Sequence, residues 1–199
     1  MTTKTRPAGR RERILEAALD AFTERGYAAT TIADVRARSG ASVGSIYHHF
    51  GDKEGIAAAL YVECLRDYQR EFVEAFAPER SAERGVKAMV RQHLRWVESH
   101  PKAAAFLAHR HEAEVAAAAA ERVRELNAQA FGAVREWLAE HVRAGRIKRM
   151  PLHLFYVVVL GPAQEFTRHW LRDPEANPIG PAQSVLAQAA WDALRANRT

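Results

Sequence analysis

The stretch Thr31-Ile32-Ala33-Asp34-Val35-Arg36-Ala37-Arg38-Ser39-Gly40-Ala41-Ser42-Val43-Gly44-Ser45-Ile46-Tyr47-His48-His49-Phe50-Gly51-Asp52-Lys53 decides how the rest of this chain is read. Thr31 with Asp34 three residues on is a capping-box-like start to a short helix, and Gly40 stops it. Ser42 caps a further helix of barely two turns, Val43 to Phe50, before Gly51-Asp52 breaks the chain again. Two short helices joined by a tight glycine-containing turn form a helix-turn-helix, whose second helix enters the major groove of DNA. Helical spacing puts Ile46 and Phe50 on the side facing the first helix. The opposite side shows Val43, Gly44, Ser45, Tyr47 and His48, all small or hydrogen-bonding, and Gly44 lets the backbone come close to a phosphate.

Outward from this segment the chain reads as helix almost throughout. A first helix, about Gly9 to Arg25, carries Ile14, Ala18, Ala21 and Phe22 on one stripe and ends at Gly26. A long fourth helix runs from Lys53 to about Phe76, with Ile56, Leu60, Cys64, Leu65, Tyr68 and Phe72 at helical period, and Pro78 closes it. A fifth spans about Ser81 to Ser99 and a sixth Lys102 to His109. A seventh ends at Gly145, an eighth runs from Pro151 to about Arg172, and a ninth lies between Pro181 and Asn197. The run Tyr156 to Val159 is β-branched, but its helical surroundings and the lack of a partner strand argue for helix. Gly161-Pro162 inside the eighth helix predicts a kink or a break there. The expected fold is all-α: a three-helix helix-turn-helix domain over residues 1–52, then a helical bundle over 53–199, about nine helices in total.

Composition sets the remaining bounds. The 199 residues hold 29 Lys and Arg against 24 Asp and Glu, a net charge of +5, and 48% are hydrophobic, which suits a folded domain and excludes a disordered one. Cys64 alone forbids an internal disulfide and a Cys-rich metal site. The longest apolar run, Leu154 to Ala163, falls short of the roughly 20 residues a bilayer requires. No apolar segment follows the basic N-terminus, so the expectation is a cytoplasmic protein without membrane attachment. Residues 1–13 hold Lys4, Arg6, Arg10, Arg11 and Arg13 against Glu12, a local basic excess compatible with nucleic acid. The second basic group, Arg143, Arg146, Lys148 and Arg149 around Gly145, reads first as cations complementing helix ends.

Ile32-Ala33, Gly40-Ala41-Ser42, Tyr47-His48-His49-Phe50 and Asp52-Lys53-Glu54 resemble the DNA-binding signature of TetR/AcrR-type transcriptional regulators. The match covers roughly residues 10–60. Ala41 stands where Val is usual and Ser39 where Ala is usual, while Gly55 weakens the first turn of the fourth helix. The resemblance implies that Val43, Gly44, Ser45 and His48 face base edges, with their cap Ser42 in the same group. It further implies that Tyr47 and Lys53 hold phosphates, that Thr31 does so besides capping, and that Arg6, Arg10 and Arg11 form an arm along the DNA. For the remaining helices it implies a ligand cavity and a homodimer surface on helices eight and nine, hence a repressor released from a near-palindromic operator by a small molecule. Candidate pocket residues are Tyr68, Met89, His93, Trp96, Phe106, Trp137, Tyr156 and Gln164, a mixture suited to an apolar molecule with one or two hydrogen bonds. No cofactor or metal is implied.

Two other readings are open at this point. A DNA-binding regulator or scaffold without a small-molecule effector fits the same N-terminal segment. Gly40-Ala41-Ser42-Val43-Gly44 also spells the G-x-S-x-G pattern of serine hydrolases, which functions only where a strand turns into a helix. His109-Arg110-His111-Glu112 suits a helical metal site poorly, because residues two apart on a helix diverge.

Overall fold

The computed structural model describes residues 9–108 and 113–196. Among them the chain forms α1 (Arg10–Arg25), α2 (Ile32–Ser39), α3 (Val43–Phe50), α4 (Lys53–Phe76), α5 (Ala82–Ser99), α6 (Pro101–Ala108), α7 (Ala113–Arg143), α8 (Leu152–Trp170) and α9 (Ile179–Leu194), with no strand beyond an isolated bridge of Ile147 to Arg195. Arg6 and the segment His109–Glu112 lie outside the described residues. None of the helices is long and apolar enough to cross a membrane.

Two compact units are present. The first gathers the described residues up to Cys64 with those of 105–123; the second gathers Leu65–Ala104 with Arg124 onward. In the first unit, Ile14, Ala18, Ala21 and Phe22 line the buried stripe of α1. Val35 of α2, Ile46 of α3 and Ile56 of α4 are buried in the same unit, and Phe106 stacks on Phe22 with ring centroids 5.9 Å apart. Gly26 (φ 82°) and Gly40 (φ 65°) end α1 and α2 in conformations that a Cβ disfavours. Between them Thr31 accepts from the Asp34 amide while the Asp34 carboxylate accepts from the Thr31 amide, the full reciprocal cap.

In the second unit α5 is central and packs against α8 and α9. Ser81 accepts from the Arg84 amide to start α5, whose Val86, Met89, Val90, Leu94 and Val97 are buried. Gly85 of α5 lies under the Trp137 indole, whose Nε1–H donates to the Glu79 carbonyl at 2.9 Å. The helix α8 continues through Pro162 without a break. Within a helix a proline ring crowds the carbonyl four residues back and also the residue before it, and Gly161 has no Cβ to add to the second of these clashes. The helix α9 starts earlier than its proline suggested: Pro178 precedes Ile179, and Pro181 sits in the first turn, where a missing N–H has no helical partner to lose. Two of the second basic group meet carbonyls near helix ends as expected. Lys148 Nζ donates to the Ala193 carbonyl at 3.0 Å and Arg143 Nε to the Ala139 carbonyl at 3.3 Å, while Arg146 Nε donates to His141 Nδ1 at 2.8 Å.

Candidate functional site

The first unit presents α3 with one flank covered and the other open. Ile46 is 1% exposed and anchors the helix, whereas Val43 is 43% and Tyr47 50% exposed. Gly44, His48 and His49 are exposed as well, while Ser45 is half-buried. The Ser42 hydroxyl oxygen accepts from the Ser45 amide at 3.2 Å, so its role in the fold is that of a cap. A helix of the form Ile32–Ser39 precedes it where a nucleophile elbow would need a strand, and the hydrolase reading lapses with that geometry.

Three of the expected phosphate-binding groups are engaged within the protein. The Thr31 hydroxyl donates to the Asp34 carboxylate at 2.7 Å, so the proton a phosphate would take is already given away. Hydrogen bonds from the Thr31 hydroxyl and amide hold the Asp34 carboxyl below its usual range, and Arg25 pairs with it at 2.7 Å. Lys53 Nζ donates to the carbonyls of Tyr27 at 3.2 Å and Ala28 at 3.4 Å and lies 4.5 Å from the centre of the Tyr27 ring. It thereby staples the start of α4 to the turn after α1. Arg11 pairs with Glu63 at 3.1 Å and lies over the Phe50 ring, whereas Arg10 is exposed. The sequence reading passed over Arg36, an exposed cation on α2. Its basic neighbours in the fold, Arg25 and Arg38, each have a carboxylate within reach, at Asp34 and Glu24, and the sequence does not show which of the three has one.

Gly55 does more than weaken a helix start. A Cβ there would lie 1.9 Å from the Phe50 carbonyl oxygen, and the Gly55 amide donates to the Asp52 carboxylate at 2.6 Å. Glycine therefore permits the close approach by which α3 passes into α4.

In the second unit the structure brings together Tyr68, His93, Trp96 and Tyr156, with Met89 one turn before His93 on α5. The Thr167 hydroxyl donates to the Ala163 carbonyl at 2.8 Å. It must then accept from His93 Nε2–H at 3.2 Å, which leaves His93 Nδ1 to accept from the Tyr68 hydroxyl at 3.0 Å. The chain of donors is thus fixed in one direction with His93 neutral. Burial holds the His93 imidazole down to about 4 from 6.5, and burial, with the Tyr156 hydroxyl nearby, pushes the Tyr68 hydroxyl up. Three other candidates are elsewhere. Phe106 packs on Phe22 in the first unit, Gln164 is exposed on α8, and Trp137 lies against Phe76 and His141.

The buried imidazole makes stability depend on pH. Unfolding lets His93 bind a proton that the folded state refuses, so stability is full above about 6.5 and falls as pH drops toward 4. The whole loss is about 3 kcal/mol. His93→Gln, which keeps a polar side chain there, is expected to flatten that part of the pH profile in chemical denaturation. Equal slopes in the two proteins would refute the assignment.

Comparison with known proteins adds the following. Residues 14–60 match the profile of the bacterial regulatory proteins of the tetR family. The HTH-type transcriptional repressor KstR2 of Mycolicibacterium smegmatis is 41% identical over 66 residues, which are 33% of this chain and 30% of that protein. The chain thus spans about a third of the length of the curated relatives it matches. A TetR family transcription regulator from Marinobacter aquaeolei superposes with a TM-score of 0.76 at 17% identity, over 94% of this chain and 96% of that one. The transcriptional regulator FadR from Bacillus subtilis, solved in complex with stearoyl-CoA, gives a TM-score of 0.76 at 17% identity, over 89% of this chain and 96% of that one. At such identity the likeness carries the fold and nothing finer.

Proposed function

We propose, for a chain that belongs to the tetR family of bacterial regulatory proteins, that it is a dimeric transcriptional repressor in the cytoplasm, reading a near-palindromic operator through α3 and released by a small molecule. The observation that carries this reading is the half-covered α3: Ile46 holds it from behind while Val43, Gly44, Tyr47 and His48 stand clear. Val43, Gly44, Ser45 and His48 meet base edges, and Tyr47 meets a phosphate. Arg10, with Arg6, Arg11 and Arg36, adds charge to the backbone, the Arg11 pair with Glu63 being a half-exposed bridge worth little against a phosphate. Residues 1–52 do the reading; residues 53–199 hold the effector and join the two copies.

Support for the dimer comes from α8 and α9, which pack on one another in the second unit and leave Leu154, Val157 and Val185 exposed at 47%, 59% and 67%. Two such pairs make a four-helix interface, and two reading helices then address half-sites about 34–36 Å apart or a multiple of it. The effector acts by population shift, binding better to the form whose reading helices miss that spacing; moving 1:99 to 99:1 requires about 5.5 kcal/mol of preference. The helix α4 is the natural lever, since Lys53 and Tyr68 both belong to it.

The test is selection of bound sequences from random duplexes, followed by release with a metabolite panel. An inverted repeat that some compound releases supports the reading; random, unsymmetrical sequences oppose it. Lys53→Ala is expected to weaken binding to every sequence alike and to lower the salt slope of log K by about one. A fall in melting temperature with an unchanged slope would make Lys53 a staple of the Tyr27 turn and nothing more.

A further inference from the structure

The second unit buries a strong hydrogen-bond donor and gives it nothing to bond. Trp96 is 3% exposed, its ring lies edge-on to Tyr68 with centroids 5.1 Å apart, and His100 stacks on it at 5.1 Å. Among the described residues its Nε1–H meets no acceptor. Buried indole N–H groups ordinarily find a partner, and this fold supplies one to Trp137, which donates to Glu79. The neighbouring polar groups are no help to Trp96: the Tyr68 hydroxyl, which donates to His93, does not come within hydrogen-bond reach of the indole N–H, and both nitrogens of His93 are taken by Tyr68 and Thr167. A second unmatched atom lies beside Tyr68 in the chain: one end of the Gln69 amide meets Asn127 at 2.8 Å and the other end meets nothing.

The surroundings restrict what can answer Trp96. The surroundings are aromatic: Tyr68 and His100 lie against the indole, Phe72 lies against Tyr68, and Tyr156, close enough to Tyr68 to be felt by its hydroxyl, is edge-on to Phe131. His93, the buried base at the centre, feels burial and no charged side chain. A carboxylate brought here would lose its water and find no charged side chain beside His93, whereas a carbonyl oxygen would accept from the indole at little cost.

We propose that Trp96 is the polar recognition point for the effector, and that the effector is an uncharged, flat ring compound presenting a carbonyl oxygen to the indole N–H. This rests on the ligand-responsive reading above and narrows it.

The experiment follows the indole N–H signals of the ¹⁵N-labelled full chain, which has four tryptophans, with Trp96 assigned by Trp96→Phe. The titrants are ring ketones of increasing size, each with the matching carboxylate and the matching hydrocarbon. At least one ketone is expected to move the Trp96 proton downfield while the other three hold still. Trp96→Phe keeps the ring and loses the donor, so the same ketone binds it about tenfold more weakly, while the hydrocarbon binds both proteins alike. The wild-type shift is read without reference to the variant's stability. A Trp96 signal indifferent to every ketone, which would leave it answered by buried water alone, overturns the proposal, as does one that responds equally to the carboxylates. Operator release by the metabolite panel separates the two levels. Compounds that release the protein without touching Trp96 leave the regulator reading intact and sink this one. A wild type that nothing releases sinks both.

Discussion

Gly44→Asp is expected to abolish operator binding in a protein that remains folded. Gly44 is exposed in the first turn of α3, and a Cβ built there meets nothing within 4 Å. Its φ is not positive, so a side chain brings no backbone strain. Aspartate in a first turn also suits the positive end of the helix dipole, so melting temperature holds or rises. Against DNA the same carboxylate faces a phosphate-lined groove. Like charges brought together at an interface cost several kcal/mol, which makes the loss at least about a hundredfold at fixed salt. Gly44→Ala is the control: it adds volume without charge and costs much less. Isotherms beside thermal melts check both, and an aspartate variant that binds as well as the parent would remove α3 from the groove.

The second large effect concerns stability and has the sign opposite to ordinary helix propensity. Replacing glycine by alanine inside a helix usually stabilises by about 1 kcal/mol. At Gly85 the new methyl would lie 2.1 Å from the Trp137 ring, which is itself tied to Glu79 and wedged against Phe76 and His141. The ring has to shift and give up its hydrogen bond. Overpacking and the lost bond together cost about 2–4 kcal/mol, a fall in melting temperature of roughly 5–15 °C. Gly132, on α7 with open space around its Cβ position, is the matched comparison. There alanine is expected to raise the melting temperature by a few degrees, in line with propensity. If both substitutions stabilise, the Trp137 packing is misplaced.

What was legible in the sequence was what local chemistry determines. Thr31 with Asp34, Gly40 and Ser42 act within four residues of themselves, so caps and turns marked out α2 and α3 before any packing was known. The open flank followed from the same logic, because an eight-residue helix with Ile46 buried has little choice about where Val43 and Tyr47 point. The contacts that the sequence did not announce came from distance. Nothing near Lys53 in the chain announces the Tyr27 and Ala28 carbonyls, 26 and 25 residues back. Phe106 sits on a short helix whose partner, Phe22, is set by tertiary packing alone. Gln164 belongs to a helix apolar on several sides, and periodicity there cannot say which side is the core. Gly55 and the pair Gly161-Pro162 read as weak points because propensity sees the residue and not its neighbours; in place, Gly55 removes a clash with the Phe50 carbonyl, and α8 runs on through Pro162. Of the pocket candidates, Tyr68, His93 and Trp96 were visible as inward-facing aromatics, but the unanswered indole could be seen only once every other donor had been assigned.

The account rests on α3 lying in the major groove twice per assembly. Dimethyl sulfate protection on a selected operator tests that directly, since it modifies guanine N7 in the major groove and adenine N3 in the minor. The predicted outcome is two symmetric clusters of protected guanines, one per half-site, centred about one helical turn apart or a whole multiple of it, both lost with Gly44→Asp. Protection confined to adenine N3, or a single unsymmetrical cluster that survives Gly44→Asp, would contradict it.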